Sequence, residues 1–210
     1  MWAETIIGMK RWVISIIMTC CLLTAQAQVR EEGNYLFVMI DSVRKLELCI
    51  ARDPLGTEAG VGISQYHHPA VPVTTTGRIV IPSSVVDCRG KRYDVRGVTR
   101  AGLQGCAELT EVVLPDSCEG FGDQAFQGCA KLESITFPPT MKVIYAKAMS
   151  GCSSLRRVTV LGATPPWCDE NVFDEQTYQK ATLVVPAGSE DAYRRAPAWR
   201  RFKFRMTKYE

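Results

Sequence analysis

The 210-residue sequence has very few of the side chains with which enzymes do chemistry. Histidine occurs only twice, as the adjacent His67 and His68, and neighbouring strand residues point to opposite sides, so the imidazoles would not converge on one metal ion. We place the pair in a surface loop. The sequence contains no Cys-x-x-Cys, Gly-x-Ser-x-Gly, His-Glu-x-x-His or phosphate-binding glycine loop. These absences predict a protein that is not an enzyme and holds no metal and no cofactor.

The pairs of neighbouring carboxylates in the sequence do not indicate a catalytic site either. Two acidic pairs, Asp169 with Glu170 and Asp174 with Glu175, stand in a turn-rich stretch near the C-terminus. Residues adjacent in sequence rarely face each other across a substrate, as an acid–base pair of carboxylates must. We therefore interpret both pairs as turn and surface charges.

The chain also lacks a strong charge of one sign. Its formal net charge is +3, which is too small to indicate a nucleic-acid partner. One local basic excess lies near the C-terminus: Arg194, Arg195, Arg200, Arg201, Lys203, Arg205 and Lys208. A solvated end cap is favoured for this cluster, with an anion-binding patch as the alternative.

No apolar run is long enough to span a bilayer. Residues 12–25 are apolar and follow Lys10 and Arg11, but a membrane-spanning helix needs about 20 apolar residues. The basic start, the short apolar run and the small-x-small triplet at 25–27 are typical of a signal peptide. The sequence therefore predicts a signal peptide over 1–27 and an exported mature chain without a transmembrane span.

Two details of this leader stay open. Met9 directly precedes the basic residues, so translation starts at either Met1 or Met9. Cys20 and Cys21 offer a lipid-anchored alternative, but the residue before Cys20 is not the small one that such a signal wants. The predicted location is extracellular or at the cell surface, with a periplasmic or lipid-anchored form as the alternative.

The most informative feature that the sequence does contain is an internal repeat with a fixed period. The pairs Gly105-Cys106, Gly128-Cys129 and Gly151-Cys152 lie 23 residues apart, and apolar columns keep the same interval. The columns are Val98, Phe121 and Ile144; Leu103, Phe126 and Met149; Leu109, Leu132 and Leu155; Val112, Ile135 and Val158; and Leu114, Phe137 and Val160. The period falls within the roughly 20–29 residues of leucine-rich repeats, in which each unit adds one short strand and one turn.

Each unit predicts a strand and an opposite wall. Residues 132–137 alternate apolar and polar positions as a strand does, and Pro138 ends the strand because it cannot donate to a ladder. Residues 125–129 are predicted to form the opposite wall, with Phe126 filling the interior and Gly128 permitting the turn. One coil cannot bury its apolar face alone, so about three or more stacked repeats and two caps are needed.

The repeated pattern Ala-Phe-x-Gly-Cys-x-x-Leu-x-x-Val/Ile-x-Leu/Phe-Pro resembles the BspA-like leucine-rich repeats of secreted and surface proteins in Bacteroides-type bacteria. Gly102-Leu103 and Ala148-Met149 depart from it in the first and third coils. The resemblance implies a β-rich, α+β solenoid: a short leucine-rich-repeat array with a 23-residue period, a β-rich N-terminal cap, and a C-terminal closing repeat with a short helix.

The resemblance also implies a division of the chain. After the signal peptide, residues 28–94 are expected to form the β-rich N-terminal cap and the hairpin that leads into the first coil. Residues 95–162 are expected to hold the leucine-rich repeats, and 163–210 the closing repeat and cap. Trp167 and Trp199, in the last segment, are predicted to pack within the cap, with a sugar-stacking platform as the alternative.

The chain has nine cysteines, and removing the two in the leader leaves an odd number. Cys106, Cys129 and Cys152 share one column, so we expect them to stack as buried free thiols about one strand spacing apart. A disulfide among the other four stays open, because nothing in their spacing pairs any two of them: Cys49, Cys88, Cys118 and Cys168.

The remaining candidate site is the outward surface of the stacked strands. Successive coils should align two rows of side chains: Glu111, Ser134 and Arg157, and Val113, Thr136 and Thr159. The first row changes from acidic to basic, which fits a partner-binding face, although an ordinary solvated exterior has the same composition.

Because no catalytic constellation occurs, function is predicted to lie in binding. The resemblance implies a non-enzymatic secreted or cell-surface protein that mediates adhesion or protein–protein binding through its solenoid face. Its partner would be a host-matrix or neighbouring-cell protein. A carbohydrate-binding accessory protein and a purely structural spacer are the alternatives, and the oligomeric state is left open.

Overall fold

The computed structural model describes residues 29–42, 46–52, 58–62, 69–202 and 206–209. These residues form many short strands and few helical segments. The strands are β1 (Val29–Glu32), β2 (Tyr35–Asp41), β3 (Leu46–Arg52), β4 (Glu58–Val61), β5 (Gly77–Val80), β6 (Ser84–Val86), β7 (Arg92–Val98), β8 (Leu109–Val113), β9 (Gly120–Phe121), β10 (Ser134–Phe137), β11 (Val143–Ile144), β12 (Arg157–Val160), β13 (Trp167–Cys168), β14 (Thr182–Pro186) and β15 (Met206–Tyr209). The helices are α1 (Glu175–Lys180), α2 (Glu190–Arg195) and a 3-10 helix (Trp199–Phe202).

The N-terminal strands form an antiparallel meander in which β1 pairs with β2, β2 with β3, and β3 with β4. Leu36, Leu48 and Ile50 are fully buried in it. The last strand, β4, then pairs in parallel with β7, which joins the meander to the repeats through one continuous sheet. The β-rich N-terminal cap that the resemblance implies is confirmed, and β6 and β7 form an antiparallel hairpin.

One wall of the solenoid is a parallel sheet with the strand order β5-β8-β10-β12-β14-β15, here called the long-strand wall. In β10, Ser134 and Thr136 face outward while Ile135 and Phe137 are buried, as the alternation in the sequence predicts. The wall extends beyond the three coils that the Gly-Cys pairs mark, because β5 precedes them and β14 and β15 follow. The solenoid prediction is confirmed.

A second parallel ladder, here called the short-strand wall, runs through β7, β9, β11 and β13. The sequence pattern places only residues 125–129 opposite the long strands, so this wall is an addition to the predicted coil. A close backbone approach between coils shapes it. A Cβ atom on Gly97 would lie 2.3 Å from the Gly120 carbonyl oxygen, so glycine is needed there for the coils to approach.

The predicted opposite wall is a stack of turns joined by backbone hydrogen bonds between coils. The Phe126 N–H donates to the Ala148 carbonyl at 2.7 Å, and the Gly128 N–H donates to the Ser150 carbonyl at 2.8 Å. Gly128 has φ +78°, which confirms its predicted turn role. Each turn also begins with a non-glycine residue at positive φ, in the register of Gln124 at +60°. That strained position had no sequence signal.

The predicted column of thiols is confirmed. Cys106, Cys129 and Cys152 are at most 1% exposed. The Cys129 thiol donates to the Leu103 carbonyl at 3.2 Å, and the Cys152 thiol donates to the Phe126 carbonyl at 3.3 Å. Cys129 and Cys152 thus bond the preceding coil, and all three thiols fill the core as small apolar groups. All seven cysteines in the described part of the chain are free thiols.

The C-terminal cap holds more helix than the single short one that the sequence predicts. α1, α2 and the 3-10 helix close the end of the coil, and aromatic rings fill the space beneath them. Trp199 is 1% exposed, its Nε1–H donates to the Pro166 carbonyl at 2.9 Å, and its ring contacts Phe137 of β10. The predicted packing of Trp199 in the cap is therefore confirmed.

Asp174 ends the ladder of turns. Its carboxylate accepts hydrogen bonds from the Gly151 N–H at 2.6 Å and from the Ser150 hydroxyl at 2.7 Å. In the earlier coils, a backbone carbonyl of the following turn accepts the corresponding N–H. The next coil still supplies the Asn171 and Val172 carbonyls to the Lys147 and Met149 N–H groups, so the aspartate replaces one carbonyl of that turn. The carboxylate therefore has a structural role that the interpretation as a turn and surface charge did not include.

Candidate functional site

The long-strand wall brings the predicted rows together. Ser134 lies beside Glu111 on one side and Arg157 on the other, which forms the first row. Thr136 lies beside Thr159. Because Ser134 pairs with Glu111, moving two residues along both strands places Val113 beside Thr136 and completes the second row. We call the two rows, extended by Arg78, Val80 and Thr182 on the flanking strands, the outer face.

The outer face is solvent-accessible. Glu111, Ser134, Thr136 and Arg157 are exposed, whereas Val113 and Thr159 are half-buried. A shallow groove of about 260 Å³ runs over the face and is lined by four of the six predicted residues, Glu111, Val113, Ser134 and Thr136. The rows therefore present one continuous surface, with polar groups in the first row and aliphatic or methyl groups in the second.

Charge on the outer face is unevenly paired. Arg78 Nε lies 3.2 Å from Glu111 Oε2, so the carboxylate is paired within the first row. The Arg157 guanidinium has no hydrogen bond or ion pair with another described residue. The row therefore carries a neutral pair at one end and an unpaired cation at the other. Arg78 had no sequence signal, because its strand precedes the first Gly-Cys pair.

The short-strand wall exposes a second surface of different character. Trp167 is 58% exposed and Tyr145 is 48% exposed, and their ring centroids lie 5.8 Å apart in an edge-to-face arrangement. The prediction that Trp167 packs inside the cap is therefore wrong. The reason is that β13 continues the short-strand wall in the register of Val143, whose side chain faces outward, while the following Cys168 turns toward the core.

Charged side chains run beside these rings. Glu119 accepts hydrogen bonds from Lys142 at 2.5 Å and Arg96 at 2.9 Å. The hydrogen bond from Lys142, with the nearby positive charges, holds the pKa of Glu119 below its usual range. A groove of about 300 Å³ lies along this wall and includes Tyr145 in its lining. The surface thus combines an exposed aromatic pair with an alternating charged rim.

Other candidate features have no structural counterpart among the described residues. His67, His68 and the predicted signal peptide lie outside them. Within residues 29–42, 46–52, 58–62, 69–202 and 206–209, no group of three or more histidine, cysteine or acidic side chains is placed to hold a metal ion. The helices found there are all too short or too polar to cross a bilayer.

The parallel ladders, the stacked turns and the interior columns define a leucine-rich repeat solenoid. Residues 98–185 match the sequence model of the BspA type leucine rich repeat region, in six copies. The chain therefore carries a BspA-type leucine-rich repeat region, and the resemblance drawn from the repeat pattern is confirmed. Solenoids of this class act as scaffolds that hold partners on an extended surface.

Solved structures of the same class resemble the chain. A leucine-rich repeat protein from Bacteroides capillosus ATCC 29799 is 20% identical with a TM-score of 0.52, over 76% of this chain and 99% of that one. A leucine-rich repeat protein from Bacteroides ovatus ATCC 8483 is 21% identical with a TM-score of 0.45, over 66% and 36%. A leucine rich cell surface protein from Faecalibacterium prausnitzii A2-165 is 17% identical with a TM-score of 0.46, over 77% and 45%. The first likeness supports the fold, and no curated protein matches the chain.

Proposed function

We propose that the protein is an exported, non-catalytic adhesion module that binds an extracellular or cell-surface protein through its outer face. The observation that carries the proposal is the register of β8, β10 and β12, which aligns the two rows into one grooved surface. Export is proposed from the leader sequence. The cell-surface protein of Faecalibacterium prausnitzii, a leucine-rich repeat protein by its name, agrees with that location.

The chemistry of the outer face favours a protein partner. Arg157 is exposed and unpaired, so a carboxylate on the partner would gain a charge-assisted hydrogen bond without breaking an existing one. Thr136, Thr159 and Val113 supply methyl groups beside it, which an aliphatic side chain can cover. Arginine next to small apolar groups is typical of protein interfaces, whose centres contain few other charged residues.

A charge swap on the outer face tests the proposal. The double variant Glu111→Lys/Arg157→Glu keeps the net charge but reverses the row. We expect the dissociation constant for the bound protein to rise by about tenfold or more, since a lost charged contact is worth on the order of 1.4 kcal/mol. The full chain is titrated against immobilised fibronectin, laminin and collagen and against fixed neighbouring cells.

A matched control separates the site from general charge effects. Lys131 Nζ and Glu108 Oε2 form an ion pair of 2.6 Å outside the groove, and Lys131→Glu/Glu108→Lys keeps both the pair and the net charge. This control should bind as the unmodified chain does. Equal binding by both double variants would reject the outer face as the site. Failure of the unmodified chain to bind any of these proteins would favour the spacer alternative.

The exposed aromatic pair favours carbohydrate binding as a second candidate function. An indole ring that is 58% exposed is accessible to the apolar face of a sugar ring, and Tyr145 adds a second wall at its edge. Lys142 and Glu119 offer a donor and acceptors to hydroxyl groups beside the rings. This surface lies on the short-strand wall and is independent of the outer face.

A glycan array distinguishes the two candidates. If the second is correct, the full chain binds one class of sugar saturably, and Trp167→Ala weakens that binding by about tenfold or more. Trp167→Tyr keeps an aromatic ring and should retain most of the affinity. Sugar binding that survives Trp167→Ala would place the carbohydrate elsewhere, and the outer-face variant should leave sugar binding unchanged.

A further inference from the structure

The C-terminal cap concentrates positive charge in a way that neither proposed surface uses. Between residues 194 and 208 the sequence has seven lysines and arginines and no acidic residue. The structure describes four of these, Arg194 and Arg195 on α2 and Arg200 and Arg201 on the 3-10 helix, together with their side chains. Three of the four, Arg194, Arg200 and Arg201, line one cleft.

That cleft has a volume of about 500 Å³ and is lined by Glu175 together with the three arginines. Arg201 is held in place by its surroundings: its guanidinium donates to Glu175 Oε2 at 2.6 Å and to the Glu170 carbonyl at 2.7 Å. The same group lies 3.9 Å from the centroid of the Tyr178 ring. Arg201 and Glu175 therefore neutralise each other as a fixed element of the cleft wall.

The other two arginines have no such compensation. Arg194 and Arg200 are exposed, and neither guanidinium has a hydrogen bond or ion pair with another described residue. The cleft thus holds two uncompensated positive charges, and an anion between them would relieve their mutual repulsion. Guanidinium groups suit this role because their planar donors match sulfate, phosphate and carboxylate oxygens in pairs.

We propose that this cleft, here called the arginine cleft, binds an acidic polysaccharide through its sulfate or carboxylate groups. The aromatic residues that pack beneath the helices of the cap are buried, namely Tyr178, Tyr193, Trp199 and Phe202. Among the described residues, no ring at the cleft is therefore open for nucleobase stacking, which single-stranded nucleic acids use. The described residues that line the cleft are all charged, so none of them offers an apolar side chain for insertion into a lipid surface. The cleft offers positive charge and hydrogen-bond donors. These are the interactions that a polysaccharide with acidic groups and hydroxyls can use for binding.

The test measures binding of dextran sulfate, carboxymethyl dextran and uncharged dextran to the full chain by calorimetry. We expect both charged polymers to bind and the uncharged one not to bind. In Arg194→Ala/Arg200→Ala the dissociation constant should rise by about tenfold or more. The slope of log affinity against log salt should become shallower by about two, because two ionic contacts are lost.

A second pair of exposed arginines provides the control. Arg89→Ala/Arg100→Ala removes the same charge from other parts of the surface and should change the dissociation constant by less than about threefold. Arg194→Lys/Arg200→Lys keeps the charge but loses the paired donors, so its affinity should fall between those of the alanine variant and the unmodified chain. Thermal unfolding followed by circular dichroism checks that each variant folds.

Three results would overturn the proposal. Equal losses in the two alanine variants would show that net charge alone attracts the polymer. Binding of uncharged dextran as tightly as dextran sulfate would show that charge is not recognised. Binding to vesicles that contain anionic lipid, without binding to any charged dextran, would identify a membrane surface as the occupant.

Discussion

Raising the pH from about 8 to about 10 is expected to lower the free energy of unfolding by several kcal/mol, because the repeat buries a column of neutral thiols. Burial raises the pKa of Cys106 to about 11 and that of Cys152 to about 12. Burial also raises the pKa of Cys129, which lies between them. Their environment stabilises the protonated thiol and excludes the thiolate.

The direction of the effect follows from proton binding. Below a pH of about 9 the thiols are protonated in both the folded and the unfolded chain, so their contribution to stability is fully present. Above it the unfolded chain releases protons that the folded chain retains, and stability falls as the pH rises toward the folded-state pKa. Each thiol contributes a slope of about 1.4 kcal/mol per pH unit, so three give about 4 kcal/mol.

Urea unfolding at pH values of about 8, 9 and 10 measures this slope. Lysine and tyrosine side chains also titrate near the upper end, so the diagnostic quantity is the difference between variants. Cys129→Ala should reduce the slope by about 1.4 kcal/mol per pH unit, whatever it does to stability at neutral pH. Cys88→Ala removes an exposed thiol, whose pKa a hydrogen bond with Glu31 raises, and should reduce the slope by clearly less than Cys129→Ala does.

A stability that does not depend on pH over this range would contradict the stacked, buried column. Reaction with a thiol-specific reagent offers an independent check at neutral pH. The exposed Cys88 should react in the folded protein, while Cys106, Cys129 and Cys152 should react only after unfolding.

The solenoid was predictable because stacking imposes the same environment on equivalent residues. Cys106, Cys129 and Cys152 occupy one column in space because they occupy one column in the sequence. The same reasoning aligned Ser134 with Glu111 and Arg157, since parallel strands in register must align their outward side chains as well as their inward ones. Periodicity therefore predicts both the core and the candidate outer face.

Features without periodicity could not be predicted in this way. The short strands contain two residues each, as in Val143–Ile144, and two residues cannot show a strand alternation. Gly97 and Gly120 resemble ordinary turn glycines until their close contact across the coils is known. Each position requires glycine because of its contact with the residue 23 positions later in the sequence. The residues that flank the glycine give no indication of that contact.

The ends of the array were the least predictable part. Trp167 lies exposed because of how β13 pairs, and the Asp174 carboxylate accepts a turn hydrogen bond that a backbone carbonyl accepts in the earlier coils. Both residues follow the last Gly-Cys pair, so none of the columns drawn from the three pairs indicates their environment. Arg78, on the strand before the first Gly-Cys pair, was missed for the same reason. Equivalent positions in successive repeats predict the environment of residues inside the solenoid. Residues at its ends make contacts that no other repeat contains, so no equivalent position predicts them.

Replacing Phe137 by alanine is expected to have the second large effect on stability. Its side chain is fully buried, and its ring lies 5.5 Å from that of Phe121 and 6.2 Å from that of Trp199, edge to face in both cases. Trp199 in turn contacts Tyr193 and Phe173. Phe137 is thus the aromatic residue through which the repeat core joins the C-terminal cap.

Phe137→Ala should lower the free energy of unfolding by about 3–5 kcal/mol, because it leaves a cavity in a core that cannot close around it. Phe137→Leu is the matched control. Leu114 occupies the same column in the preceding coil, so leucine fits the position, and the loss should be about 1–2 kcal/mol from volume and ring contacts. Similar losses for the two variants would show that the ring position is loosely packed.

The position of Phe137 also predicts how unfolding proceeds. In the unmodified chain, far-ultraviolet circular dichroism and tryptophan fluorescence should report one urea transition, since the aromatic contacts couple the cap to the repeats. In Phe137→Ala, the fluorescence change should come at lower urea than the loss of β structure, because Trp199 loses its contact with the repeat core while the strand ladders persist. Coincident transitions in that variant would mean that the backbone ladders, and not this ring, carry the coupling. The two probes therefore separate side-chain packing from strand pairing as the source of cooperativity between the repeats and their cap.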